Sequence, residues 1–152
     1  MTANNVIMSV GTVISVSAAQ PATENQAGYE ALSFTVIGEV TNIGEAGGTA
    51  QVQSFTPVGS GIVHKRKGSI DYGTQSLTIA KDAADAGQVL LQAGFDGAAK
   101  DTIHSFKIAE PNSGDVAYFQ GLISSFTTQR GDANTILSHN CNVDRTSATV
   151  VV

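Results

Sequence analysis

The chain has 152 residues, a net charge of −5 from 8 Lys+Arg and 13 Asp+Glu, only 14% charged residues, and one cysteine, Cys141. That length predicts one domain with a sizeable core, and low charge with regularly spaced Val, Ile, Leu and Phe excludes a disordered chain. The acidic balance excludes a protein that grips phosphates over its whole surface; a lone cysteine excludes an intrachain disulfide scaffold; no apolar run approaches the roughly 20 residues that span a bilayer, and Met1 to Gly11 lacks the basic start of a signal peptide.

The chain is rich in hydroxyls, with 14 Ser and 15 Thr. Such residues suit strands better than helices. Thr12 to Ser17 reads as a strand, and Gln20 to Gly28 as a loop. Ser33 to Thr41 alternates: Phe34, Val36 and Val40 fall on one face, and Ser33, Thr35, Glu39 and Thr41 on the other. Ile43 to Gly48 is a turn. Ala50 to Phe55 resumes as a strand, Pro57 to Gly61 breaks it, and Ile62 to Lys67 continues a long exposed ribbon. Gly73 ends that region, and Gln75 to Ala80 reads as a further strand.

Asp82 to Phe95 breaks the pattern. Leu90, Leu91, Gly94 and Phe95 recur at helical spacing, so a helix is predicted over about 82–96, N-capped by Asp82 with Asp85 in its first turn. Gly87 and Gly94 each weaken it by roughly 1 kcal/mol relative to Ala, which packing of Leu91 and Phe95 must offset. Strands then return at Thr102 to Ala109, at Val116 to Thr128 with a bulge at Gly121, and at Asn134 to Arg145, followed by an apolar end at Thr149 to Val152. Pro111 to Gly114 is a turn. In the Asn134–Arg145 strand, Ser138, Asn140, Asn142 and Asp144 share one face, and Leu137, Cys141 and Val143 the other. Cys141 therefore reads as a small core hydrophobe. The predicted class is mainly β (α+β): a sandwich flanked by one helix.

No enzyme signature is present. His64, His104 and His139 lie about 35 to 40 residues apart, so a zinc site is poorly supported. Gly121 to Ser124 does not form a G-x-S-x-G elbow. Gly44 to Thr49 lacks the lysine of a phosphate-cradling loop, and Glu45 would repel phosphate. Asp82 with Asp85, or Asp96 with Asp101, forms no calcium loop. No cofactor is implied.

The sharpest charge feature is His64-Lys65-Arg66-Lys67. It reads either as a contact for DNA, anionic lipid or an acidic protein surface, or as a solvated hairpin tip. Residues 1–63 contain Glu24, Glu30, Glu39 and Glu45 but no Lys or Arg, whereas residues 64–152 hold all 8 bases. That asymmetry suits head-to-tail self-association, which builds rings or filaments.

Several segments together resemble the tail tube protein (major tail protein) of long non-contractile tailed bacteriophages, the siphophages. Asp85-Ala86-Gly87-Gln88-Val89-Leu90-Leu91 resembles that family's Gly-Gln-x-x-Leu-Leu helix start, and Phe106-Lys107-Ile108 its following strand. Val116 to Phe126 resembles its Phe-x-Gly-hydrophobic-hydrophobic-Ser-Ser strand through Phe119, Gly121, Leu122, Ile123, Ser124 and Ser125. Ala27 to Glu30 and Ile37 to Val40 look like its early strand region, and Lys67 to Gly73 like the end of its long loop, here about 43–73. No match to the extra C-terminal immunoglobulin-like domain of some members is present.

The resemblance implies a β-sandwich or partial barrel completed into a continuous inner β-barrel by hexameric rings. The rings stack into a virion tail tube through which double-stranded genome DNA passes without specific binding. Implied partners are further copies, a tape measure protein, a tail terminator and baseplate or distal tail proteins, with no membrane; assembly takes place in the host bacterial cytoplasm. An acidic, hydroxyl-lined wall keeps phosphate affinity low. Thr35, Glu39, Thr41, Ser138, Asn140, Asn142 and Asp144 are the lumen-facing candidates, with Gln120 and Ser124 weaker because Leu122 and Phe126 share their face. Lys65, Arg66 and Lys67 are the candidates for contact with an adjacent ring. Alternatives are the tube protein of a type VI-like secretion apparatus and a monomeric β-sandwich binding module; the latter predicts a sugar-stacking aromatic platform, yet the chain has no Trp and 3 Tyr.

Overall fold

Alternating Val, Ile, Leu and Phe drive most of the chain into antiparallel strands. In the computed structural model, which describes residues 6–97 and 102–152, the strands are β1 (Val13–Ser17), β2 (Thr35–Val36), β3 (Val40–Ile43), β4 (Thr49–Phe55), β5 (His64–Asp71), β6 (Thr74–Ala80), β7 (His104–Glu110), β8 (Asp115–Gln129), β9 (Ser138–Arg145) and β10 (Val150–Val151). Two short helices accompany them, α1 (Gln26–Glu30) and α2 (Ala86–Asp96). Met1 and Asp101 lie outside the described residues. None of the described helices is long and apolar enough to cross a membrane.

Eight strands form one antiparallel sheet in the order β2-β1-β7-β8-β9-β6-β3, with β10 also paired to β8. Its two outermost strands, β2 and β3, are separated in sequence only by residues 37–39. One segment therefore serves both edges, and the sheet must curl until they meet. Ile37 N–H donates to the Ile14 carbonyl at 3.0 Å, and Ala80 N–H to the Glu39 carbonyl at 2.9 Å. Between them the backbone turns sharply: Glu39 has φ 57°, a left-handed conformation rare for a residue with a side chain. The predicted continuous strand over Ser33–Thr41 is thus two short strands on opposite edges, because the chain changes partner at Gly38.

Helix α2 holds this crossing in place. Its N-cap is Asp85, not Asp82, and the helix starts at Ala86. The Asp85 carboxylate accepts from the Gln88 N–H at 2.9 Å and from the Gly38 N–H at 3.1 Å. Asp82 instead closes a small turn, accepting from the Ala84 N–H at 3.0 Å. The Gln88 amide, buried, donates to the carbonyls of Gly38 and Ala80, at 3.2 and 3.0 Å. Gly87 is required by close approach: a Cβ there would lie 2.4 Å from the Val36 carbonyl oxygen. The Asp-Ala-Gly-Gln segment is therefore a clasp between helix and crossing strand.

Leu91 of α2 is fully buried against the core of Ile14, Val16, Leu77, Ile79, Phe106 and Phe119. The Phe106 and Phe119 rings stack with centroids 5.2 Å apart. Phe95, expected to pack there, remains 43% exposed. The expected loop over Gln20–Gly28 contains the start of α1, whose N-cap Asn25 accepts from the Gly28 N–H at 2.9 Å. Tyr29 of α1 stacks on Tyr118 of β8 at 5.2 Å, on the side of that strand away from Phe119.

Two further features differ from expectation. β9 begins at Ser138, so Leu137 lies outside the strand and is 42% exposed instead of facing the core. The bulge in β8 falls between Ile123 and Ser125. Gly121 is needed for contact, since a Cβ there would meet Val143 Cγ1 at 2.5 Å.

Candidate functional site: a polar sheet face and a free ribbon

The alternation of β9 places Ser138, Asn140, Asn142 and Asp144 on one face and His139, Cys141, Val143 and Arg145 on the other, buried one. Register decides what surrounds them. On β6, Thr74, Ser76, Thr78 and Ala80 lie opposite Asp144, Asn142, Asn140 and Ser138. On β8, Leu122, Ser125, Thr127 and Gln129 lie opposite the same four residues. The result is a three-strand field of hydroxyls and amides whose one formal charge is Asp144. β3 extends it with Thr41 and Asn42, both exposed.

Hydrogen bonds knit this field together. Thr74 Oγ1 donates to Asp144 Oδ1 at 2.7 Å, and Thr78 Oγ1 to Asn140 Oδ1 at 3.3 Å. Ser124 Oγ donates to the Asn142 carbonyl at 3.1 Å, and Thr41 Oγ1 to the Thr78 carbonyl at 3.1 Å. The side chains thus spend donors on their own sheet, which leaves a wetted surface with few directed groups for a ligand.

The other predicted positions separate. Thr35 in β2 lies opposite Val16, on the core-facing side of the far edge. Glu39 is exposed at the crossing, beside Thr41. Gln120 is 5% exposed under α1, where its amide donates to the Tyr29 hydroxyl at 3.3 Å and Glu24 Oε1 at 3.2 Å. Ser124 is exposed at the bulge, and the extra residue there turns Phe126 inward, opposite Cys141. The contribution of β6 is absent from the sequence reading, although Thr74, Ser76 and Thr78 alternate with Gln75, Leu77 and Ile79.

The interior carries no reactive array. Burial pushes the Cys141 thiol up to about 12, so it stays protonated and inert. His139 is held below the usual histidine range by burial, then by the charge of Lys81, and its Nδ1 lies 3.0 Å from Thr128 Oγ1. Among the described residues, no group of three His, Cys, Asp or Glu is placed to hold a metal ion.

The second feature is the β4–β5 hairpin, which among the described residues pairs with no other strand. Every residue of β5 is exposed. Lys65, Arg66 and Lys67 all lie on it, opposite Ser54, Gln53 and Val52. A lone two-stranded hairpin is marginally stable in water.

A curled antiparallel sheet clasped by one helix, with a polar four-strand face and a free ribbon, defines a tail-tube-type fold. Solved structures bear this out. A tail chain of an empty gene transfer agent particle, refined with C6 symmetry, matches with TM-score 0.61 and 17% identity, over 92% of this chain and 94% of that one. The SPP1 tail tube matches with TM-score 0.63 and 13% identity, over 96% of this chain and 78% of that one. A chain in the PVC sheath/tube terminator of an extracellular contractile injection system matches with TM-score 0.67 and 10% identity, over 99% of each. At these identities the likeness is one of fold. No family model and no curated protein matches the sequence.

Proposed function

We propose that this chain is the tube subunit of a siphophage tail, forming hexameric rings that stack into a conduit for genome DNA. The observation that carries the reading is the pair of unguarded edges flanking the polar face. Among the described residues, β3 pairs only with β6. The pairing of β8 with β7 ends at Gly121, so, among the described residues, 122–129 pair with β9 alone. Exposed edges of this kind are templates for further strands. Joining β3 of one copy to the second half of β8 in the next closes β3-β6-β9-β8 units into a continuous inner barrel.

In that barrel Thr41, Ser138, Asn140, Asn142 and Asp144 face the lumen, with Glu39 at its rim. A wall of hydroxyls and amides with sparse negative charge offers no sites for counterion release, so the DNA backbone passes without being held. The C6 symmetry of the matched gene transfer agent tail supports six subunits per ring. The resemblance adds a tape measure protein, a terminator and baseplate or distal tail proteins as partners, within a virion. The match to the injection-system terminator favours, as a second reading, the tube of a secretion or injection apparatus.

Negative-stain microscopy of the purified protein tests the proposal. Six-fold rings or tubes with a central channel are expected; a protein that stays monomeric under all concentrations and salts refutes it. Detection in purified phage particles separates the virion from the secretion reading.

A further inference from the structure

Arg145 ends β9 on its inner face, opposite Gly121 of β8. It is 9% exposed. Its guanidinium lies 4.7 Å from the centroid of the Phe119 ring, and one of its terminal nitrogens donates to Thr149 Oγ1. The Nε is buried and, among the described residues, has no hydrogen-bond partner. A buried cation left short of acceptors is costly until an opposite charge reaches it. Arg145 lines a cleft of about 660 Å³ together with Ile43, Gln75, Ile108 and Phe119. Glu110 and Asp115 line the same cleft, both exposed and directly opposite each other in register. Like charges so placed repel and favour a cation between them. The cleft therefore offers an apolar wall, a buried cation and an acidic rim.

The opposite end of the same sheet carries the matching groups. Register puts Ala80, Gln129 and Ser138 side by side there, so the loop 130–137 between β8 and β9 lies at that end. Arg130 and Asp132 in it are exposed, and Ile136 is 76% exposed. Asp132 Oδ1 accepts from Thr135 Oγ1 at 2.9 Å and from the Asn134 N–H at 3.0 Å, which fixes the carboxylate in the loop. We propose that the 130–137 loop of one copy docks in the Arg145 cleft of a copy in the next ring. Asp132 meets Arg145, Arg130 meets Glu110 and Asp115, and Ile136 covers the apolar wall. This rests on the tube reading above, in which the two ends of the sheet form the two faces of a ring. Loop and cleft lie at opposite ends of the chain's sheet, so the contact is heterologous and repeats from ring to ring without closing.

A double variant, Asn134→Cys with Ser113→Cys, tests it. It puts one thiol on the loop and one at the cleft, while the native Cys141 is buried. Tubes confirmed by microscopy are treated with a short bismaleimide and run on a denaturing gel. A ladder of linked chains extending beyond the six copies of one ring is expected, with none from either single variant. As a second measurement, D132N, which keeps a capping side chain in the loop, should raise the protein concentration needed for assembly at least about tenfold. R130E should impair assembly of a subunit whose circular dichroism is unchanged, and adding E110K/D115K should restore it. If the double variant gives no ladder in tubes, or one that stops at six, the docking is wrong while the tube reading stands. The same holds if D132N or R130E assembles normally, or if the exchanged charges fail to rescue R130E. If wild-type subunits form no tubes, both are overturned.

Discussion

Replacing Asp85 with Ala removes one carboxylate that serves two elements. The first loss is the N-cap of α2, where Asp85 accepts from the Gln88 N–H at 2.9 Å. Such caps are worth about 0.5–2 kcal/mol. The second loss is the partner of the Gly38 N–H, bound at 3.1 Å where the chain passes between sheet edges. Leaving a buried donor unpaired costs about 1–3 kcal/mol. Gly38 is only partly buried, and both losses come from one side chain, so D85A should cost about 1.5–4 kcal/mol in all. That is a large share of the roughly 5–15 kcal/mol of a typical domain. Urea unfolding should show the midpoint lowered by about 1–2 M at a typical slope of ~2 kcal/mol/M. Asp85→Ser keeps a capping oxygen but cannot span to Gly38, so it should recover only the cap share. Asp82→Ala, at an exposed turn, should change stability by less than about 0.5 kcal/mol. If D85A matches D82A, the crossing of residues 37–39 does not depend on α2 and the clasp is misread.

Changing Lys65, Arg66 and Lys67 together to Glu should abolish tube assembly while leaving a folded monomer; normal tubes in the microscope would remove the hairpin from the assembly contacts. Asp144→Lys, with tubes intact, should slow genome ejection by placing a cation on the polar face, and unchanged ejection would remove Asp144 from the lumen. The Cys141 thiol is raised from 9.0 to about 12 by burial. Its contribution to stability is therefore full below pH 9 and declines as pH rises toward 12, by up to about 1.4 kcal/mol per unit; Cys141→Ala should remove that slope relative to wild type. In the free subunit the hairpin amides between 49 and 71 should exchange far faster than those of β8 and β9, and strong protection there would show that the ribbon is stable alone.

Local alternation was enough to place Ser138, Asn140, Asn142 and Asp144 together, with Cys141 and Val143 behind them, because a strand's period of two is written into adjacent residues. The missing charge, the hydroxyl-rich strands and the basic cluster following the acidic residues 1–63 were equally legible. So was the helix near 82–96, though its start moved by one turn: Asp82 and Asp85 are both capping residues, and only a distant partner, Gly38, selects between them.

Thr35 and Thr41 show where local reading stops. They share a parity in sequence, yet Thr35 pairs with Val16 while Thr41 sits at a bulge in β3 with its hydroxyl donating to the Thr78 carbonyl, on the opposite edge of the curled sheet. Phe126 likewise lost its expected face to a single bulged residue two positions earlier. Composition and periodicity determined that this chain makes polar-faced strands and one clasping helix. Which strands became neighbours, which edges stayed open and which way each base of the ribbon points were decided only by tertiary structure. Those outcomes depend on hydrogen bonds between residues far apart in sequence, and a one-residue change of register reverses every side chain that follows.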